Sequence, residues 1–261
     1  VTAAGDAAGL AWLAPQDAWP STVHALTTLR RGGSSTGSHA GLNLAAHVGD
    51  EPSNVLENRR RLRLAAALPD EPAWLEQVHG VAVYTHDGPL PSTPPRADAA
   101  VTSTPGHVCA VLTADCLPAV LASRDGTRVG VAHAGWRGLA DGVLEATVGA
   151  LGVPPAEIIA WLGPAIGPQS FEVGDEVRAA FIARDPENAG AFVPNAAGRH
   201  QADLYGLARL ALARAGVHAV TGGGWCTVAD ADRFYSFRRD GARTGRMATL
   251  AWIQPERTAT H

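Results

Sequence analysis

The chain contains no lysine: its 21 basic residues are all arginine, set against 25 Asp and Glu. That absence excludes Schiff-base chemistry, a lysine general base and a P-loop lysine on a phosphate. Any anion must be gripped by arginine or by backbone N–H groups. Cysteine is scarce as well. Three residues, Cys109, Cys116 and Cys226, make an odd and sparse count that does not form a disulfide framework. Reduced thiols in a cytoplasmic protein are the expected state. There is no basic excess, since the formal net charge is −4, so a nucleic-acid footprint is not expected. There is also no membrane-length apolar run. The longest apolar-rich stretch, 108–122, is broken by Asp115 and Pro118. The first twenty residues carry no positive charge and no apolar run of signal-peptide length, and they are expected to be irregular.

What is present is material for a core. Hydrophobic residues make up 46% of 261, enough for one large domain. No repeat or linker divides the composition, so residues 1–261 read as a single catalytic domain. The stretches 87–96 and 185–198, rich in turn residues, read as surface loops. Three helices are expected. The first runs over 54–67, with Ser53 as N-cap, an apolar side from Val55, Leu56, Leu62 and 64–67, and a stop at Pro69. The second covers 139–151, stopping at Gly152. The third covers 204–215, capped by Asp203 and stopped by Gly216. Short apolar runs at 99–102, 108–113, 119–123, 129–133, 158–162 and 247–252 read as strands. Those between 99 and 133 leave no room for crossover helices, so antiparallel or mixed pairing and an α+β class are expected.

Three strand ends carry chemistry. Cys116 closes an apolar strand and is followed by Pro118. His133 ends the next strand but one, before the turn Gly135-Trp136-Arg137-Gly138. His79 precedes Gly80 in a strand-like stretch. Two imidazoles and a thiolate suit zinc or another borderline metal, and three ligands leave one position open for catalysis. Taken singly, these residues also read as a small core thiol and two hydrogen-bonded histidines, because neither CxxC nor HExxH occurs. Spacing alone leaves both readings open.

Several further segments stand together. They are Arg30-Arg31-Gly32-Gly33-Ser34, Leu42-Asn43-Leu44 with His47-Val48-Gly49-Asp50, Asn58-Arg59, Gln77-Val78-His79 and Ala97-Asp98-Ala99. To these are added the runs 113–118, 133–138 and 162–167, and Tyr235-Ser236-Phe237-Arg238-Arg239. In these segments the chain resembles the YfiH-type family of multicopper polyphenol oxidoreductases or laccases, also called peptidoglycan editing factors. The resemblance spans roughly residues 25–252. It implies a four-layer α/β/β/α sandwich with mixed sheets, a fold shared with a class of cysteine hydrolase toxins. It implies that His79, Cys116 and His133 are the metal ligands, with zinc the expected ion and copper the alternative.

In activity the family is similar to metal-dependent purine nucleoside phosphorylases. These act on adenosine, inosine, guanosine and methylthioadenosine, with adenosine deaminase activity in addition. The expected partners are therefore a nucleoside and phosphate, on a monomer or weak homodimer. On this reading Arg30 and the backbone around Gly33 form an anion nest. Asn43, His47 and Arg59 add polar contacts, Asp115 orients a ligand histidine or caps a turn, and Trp136-Arg137 flank the base. Ten histidines without a single His-x-His pair do not build a conventional three-copper cluster. The Pro-Cys-x-x-Cys signature of cytidine deaminases is absent too. Rival readings are a cysteine hydrolase or amidase editing peptidoglycan precursors, with Cys116 as nucleophile and His133 as base, a copper-dependent polyphenol oxidase, and a binding protein with a structural zinc.

Overall fold

The computed structural model describes residues 4–5, 9–16 and 19–255. Fourteen strands form three sheets among these residues. The first sheet contains β1 (Ala4–Gly5), β2 (Ala11–Leu13), β3 (Val23–Thr28), β6 (Val108–Thr113) and β14 (Met247–Ile253), in the order β1-β2-β3-β14-β6. Its pairings are all antiparallel. The second contains β4 (Val83–Thr85), β5 (Ala99–Thr102), β7 (Leu117–Ser123), β8 (Val129–Ala134), β9 (Ile158–Leu162) and β13 (Ala219–Gly222). Its order is β13-β9-β7-β8-β5-β4, with parallel pairs at both edges and antiparallel pairs between. A small third sheet joins β10 (Glu172–Val173), β11 (Phe192–Pro194) and β12 (His200–Ala202). The helices are α1 (Pro52–Ala65), α2 (Trp136–Asp141), α3 (Val143–Leu151), α4 (Asp175–Arg184), α5 (Leu204–Arg214) and α6 (Phe237–Asp240).

The two-residue alternation of strand side chains builds the layers. Along β6, Val108, Ala110 and Leu112 pack outward with Leu62 of α1 and with Leu42 and Leu44. Cys109 and Val111 point the other way, into a layer shared with Val120, Val129, Val131 and Trp161 of the second sheet. The far face of that sheet, through Leu117, Ala119, Leu121 and Ala132, packs on α2, α3, α4 and α5. The order is therefore helix, sheet, sheet, helices, and the expected α/β/β/α sandwich is what the chain forms; only one of its two large sheets is mixed, the other being antiparallel throughout.

Local departures have local causes. The first helix begins at Pro52, not Asn54, because proline at the first helical position loses no hydrogen bond, and Ser53 lies inside the helix and not at the cap. Its Leu56 and Leu64 face solvent, 72% and 67% exposed, so the apolar side is narrower than expected. The helix expected over 139–151 is two helices, split where Gly142 takes φ +103°. Asp203 caps α5 as expected, accepting from the Gly206 N–H. The segment 185–198 holds a 3₁₀ turn and β11, and α4 had no expected counterpart. Among the described residues, no helix is long and apolar enough to cross a membrane.

Candidate metal centre and substrate pocket

The strand β6 belongs to one sheet and β7 to the other, so the chain must cross between layers at Ala114-Asp115-Cys116. Asp115 makes that turn with φ +95°, a left-handed conformation that is uncommon outside glycine. The crossing places Cys116 at the mouth between the two sheets. His133, next to last in β8, pairs with Pro118 across the β7–β8 ladder and reaches the same place from the neighbouring strand.

His79 arrives differently. Its segment is not a strand. Residues 71–80 run along the free edge of β6, touching it at the isolated bridge Ala73–Cys109. The Gln77 carboxamide then grips Leu112: Nε2 donates to the Leu112 carbonyl at 2.9 Å and Oε1 accepts its N–H at 2.7 Å. His79 itself has φ +60°.

The three side chains meet. One candidate ligand atom from each of His79, Cys116 and His133 lies within 4.8 Å of the others, and Cys116 Sγ is 3.9 Å from His79 Nε2. The two rings meet edge to face at 4.7 Å. Gly135 allows the closeness, since a Cβ there would come within 2.8 Å of His79 Cδ2 and 3.1 Å of Cys116 Sγ. Two imidazoles and a thiolate converging with no other charge between them fit a borderline ion such as zinc. Among the described residues no other group of three or more His, Cys, Asp or Glu side chains comes this close.

The group that orients the two histidines is Asp98. It is fully buried just before β5. Its Oδ1 accepts the His133 Nδ1–H at 2.8 Å and the His79 N–H at 2.9 Å; Oδ2 accepts Val78 N–H at 3.1 Å and Gly80 N–H at 2.7 Å. One carboxylate thus sets the His133 tautomer, leaves Nε2 free to ligate, and ties down the His79 loop. Desolvation works against the Asp98 charge, yet His133 and these N–H groups hold its carboxyl below the usual range. Burial pushes the Cys116 thiol up, but the His133 and His79 rings outweigh it and the net shift is downward. Burial pushes His133 down, and Cys116 with Asp98 reverses that. In the sequence Asp98 shows only as an acid beside an apolar strand, and nothing local connects it with His133.

Asp115 does not orient a ligand histidine. Its Oδ1 accepts from Thr227 Oγ1 at 2.6 Å and its Oδ2 from the Arg238 N–H at 2.6 Å, so it pins the start of α6 to the site. That contact brings Arg238 in. The pocket beside the triad, about 480 Å³, is lined by His47, Asp115, Trp136, Arg137, Phe171, Phe237, Arg238 and Arg246 among others.

Of the expected contact residues, His47, Asp115 and Arg137 line it. Arg30, Gly33, Asn43 and Arg59 do not. The Arg30 guanidinium donates to the Ala231 carbonyl and lies over the Tyr235 ring, 4.8 Å from its centroid. Gly33 sits where the backbone of Gly41 presses close, and the next amide, Ser34 N–H, donates to Asn58. The glycine pair there serves close chain packing, and the Ser34 amide that follows it is spent on Asn58. Asn43 and Arg59 act one step back. Asn43 Oδ1 accepts the N–H of Ala45 and of Arg246. Arg59 donates twice to the Leu44 carbonyl, fixing the loop that carries His47.

Gln77 and Asp98 both tie the His79 loop down close to the triad, so Gln77→Glu is expected to weaken metal binding there. A carboxylate cannot donate to the Leu112 carbonyl, and one lost buried bond costs about 1–3 kcal/mol. Chelator competition on the variant is expected to show weaker metal retention together with a lower Tm. Unchanged retention would mean that Gln77 stabilises the fold without placing His79.

Known proteins carry the same arrangement of chain. A family model described as multi-copper polyphenol oxidoreductase laccase matches residues 24–254. A purine nucleoside phosphorylase of Pseudomonas aeruginosa is 56% identical over 94% of this chain and 99% of its own length. The purine nucleoside phosphorylase YfiH of Escherichia coli is 50% identical over 92% and 98%. A crystal structure of a Neisseria meningitidis protein aligns with TM-score 0.89 at 48% identity, covering 94% of this chain and 99% of that one. YlmD of Geobacillus stearothermophilus aligns with TM-score 0.87 at 30% identity, covering 96% and 98%. With a shared fold, a family match over nearly its whole length and relatives at half identity or better, this chain belongs to the multi-copper polyphenol oxidoreductase laccase, or YfiH, family.

Proposed function

We propose that this chain is a zinc-dependent purine nucleoside phosphorylase, with adenosine deamination as a second reaction of the same pocket. The observation that carries the reading is the charge of the pocket wall. Arg137, Arg238 and Arg246 line it beside the Cys–His group, and none of the three forms an ion pair among the described residues. The one carboxylate in the wall, Asp115, is committed to Thr227 and the Arg238 backbone. A pocket with unmatched guanidinium groups selects an anion, and phosphate is the anion that phosphorolysis consumes. Apolar surface from Trp136, Phe171 and Phe237 gives a purine somewhere to lie. The names of the Pseudomonas and Escherichia relatives support the same reading.

In phosphorolysis a phosphate oxygen forms a bond to C1′ of the ribose. The C1′–N9 bond breaks with its electron pair going to the purine, which takes up a proton. His79, Cys116 and His133 would hold the ion, which supplies Lewis acidity at its open position. The arginines bind and orient phosphate, and the aromatic wall excludes water from the sugar carbon. The family description names several copper ions, but a single three-ligand group among the described residues holds one. That supports a mononuclear site, with a copper-dependent oxidase as the alternative reading.

Base release from inosine measured against phosphate concentration tests this. The expected product is ribose 1-phosphate, with no base formed when phosphate is left out. Free base released at the same rate without phosphate would make the protein a hydrolase. Inosine formed from adenosine in phosphate-free buffer is the expected sign of the deaminase reaction.

A further inference from the structure

The geometry points to Arg246 as the phosphate anchor of this pocket, with Arg137 and Arg238 serving the nucleoside side; the assignment rests on the phosphorylase reading above. The three arginines are not equivalent. Arg137 and Arg238 are exposed, while Arg246 is half-buried. Arg137 lies over the Trp136 ring at 4.4 Å, and Arg238 faces Phe171 and spends its two terminal nitrogens on the Ser170 and Glu172 carbonyls. Both thus sit on the aromatic wall, where a purine would stack.

Arg246 comes from the other side. It immediately precedes β14, whose Met247 pairs with Thr113 across the β14–β6 ladder. That register sets Arg246 against the Ala114-Asp115-Cys116 crossing, at the metal end of the pocket. The electrostatic influence of Cys116 and Asp115 on Arg246 reports the same nearness.

Its guanidinium is held by neutral groups alone. Nη1 donates to the Thr244 and Gly245 carbonyls, and Nη2 to that of Ala242. Three of five N–H groups are used, and the remaining two have no partner among the described residues. The Asn43 carboxamide fixes the backbone, accepting the Arg246 N–H at 3.0 Å. The result is a cation whose shape is fixed and which forms no ion pair among the described residues. Desolvation makes such an arginine costly, so an anion entering beside it gains more than one meeting a solvated side chain. His47, on the loop clamped by Arg59, lines the same end. Burial and the positive charges of Arg246 and Arg59 disfavour its protonated form.

The test uses zinc-loaded Arg246→Gln and Arg246→Lys proteins, with Arg137→Gln and Arg238→Gln alongside. One charge-assisted bond to phosphate contributes roughly 1.5–3 kcal/mol. Arg246→Gln is therefore expected to raise the KM for phosphate about ten- to a hundredfold, at 1.4 kcal/mol per tenfold. The KM for inosine is expected to stay within about twofold, and metal content to be unchanged. Arg246→Lys should recover part of the phosphate KM, since charge returns without the fork. Arg137→Gln and Arg238→Gln should raise the inosine KM instead. Equal changes in both KM values for Arg246→Gln, or a phosphate effect confined to Arg137→Gln or Arg238→Gln, would overturn the assignment. Calorimetric titration with inorganic phosphate separates this from the phosphorylase reading. If the wild type releases base without phosphate, that reading fails. Phosphate binding lost in Arg246→Gln then still supports the anion site, and equal binding by both proteins overturns it.

Discussion

Cys116→Ala protein is expected to be folded, metal-free and inactive. The thiolate is the one anionic donor of the three candidate ligand side chains, and without it two neutral imidazoles would have to hold a divalent ion alone. The fold has little stake in the residue. Cys116 is half-buried at a pocket wall, outside the apolar layers that hold the two sheets together. A drop in base release of roughly a thousandfold or more is expected, in line with the largest contributions that single catalytic groups make. Metal analysis should find the ion lost in step. The other thiols give the controls. Cys109 is fully buried between the sheets, where desolvation pushes its thiol far up, so Cys109→Ala should cost stability and spare activity. Cys226 is half-buried, bonded to Ser170 and to the Gly167 N–H, outside the pocket wall, and Cys226→Ala should keep most activity. A fully active, metal-free wild type would remove the metal from the mechanism. Cys116 would then be a nucleophile with His133 as its base, as in the cysteine hydrolase reading.

The second large effect is expected from Asp98→Asn. The shape is kept and the charge is lost, and the four donors that converge on the carboxylate remain. In either orientation an amide turns its NH₂ toward N–H groups that have nowhere else to donate. Each unsatisfied buried donor costs about 1–3 kcal/mol. His133 loses the partner that fixes its tautomer, and His79 loses the anchor of its loop. Metal affinity should fall by roughly ten- to a hundredfold, the usual effect of removing a partner of a ligand histidine. Competition with a chromophoric chelator reads this directly. If Asp98→Asn lowers the Tm but binds metal as tightly as the wild type, Asp98 belongs to the fold alone.

The sequence by itself determined most of the strands and helices and marked the candidate ligands. Short apolar runs at 108–113 and 129–133 and the Asp203 cap with the Gly216 stop are all local patterns. Each works through neighbours two to four residues away, so each can be read without coordinates. Cys116 and His133 were legible for the same reason, as reactive side chains at the ends of such strands. Mistakes began where one local signal had two physical meanings. Gly32-Gly33 permits an anion nest or a close chain crossing, and only the neighbouring Gly41 backbone decided for the crossing. Arg30 was a free cation in the sequence, and the Ala231 carbonyl, 201 residues away, took its N–H.

The tertiary structure alone decided which charges serve the pocket. Asp98, Arg238 and Arg246 are separated by up to 148 positions, and no periodicity links them. They gather around the His–Cys–His group because two sheets are stacked and the β14–β6 register brings residue 246 to the crossing at 114–116. A hydrogen bond or an ion pair depends on distance in space to within a few tenths of an ångström. Sequence separation carries no such distance, so donor, acceptor and unmatched charge become distinguishable only once the layers are closed.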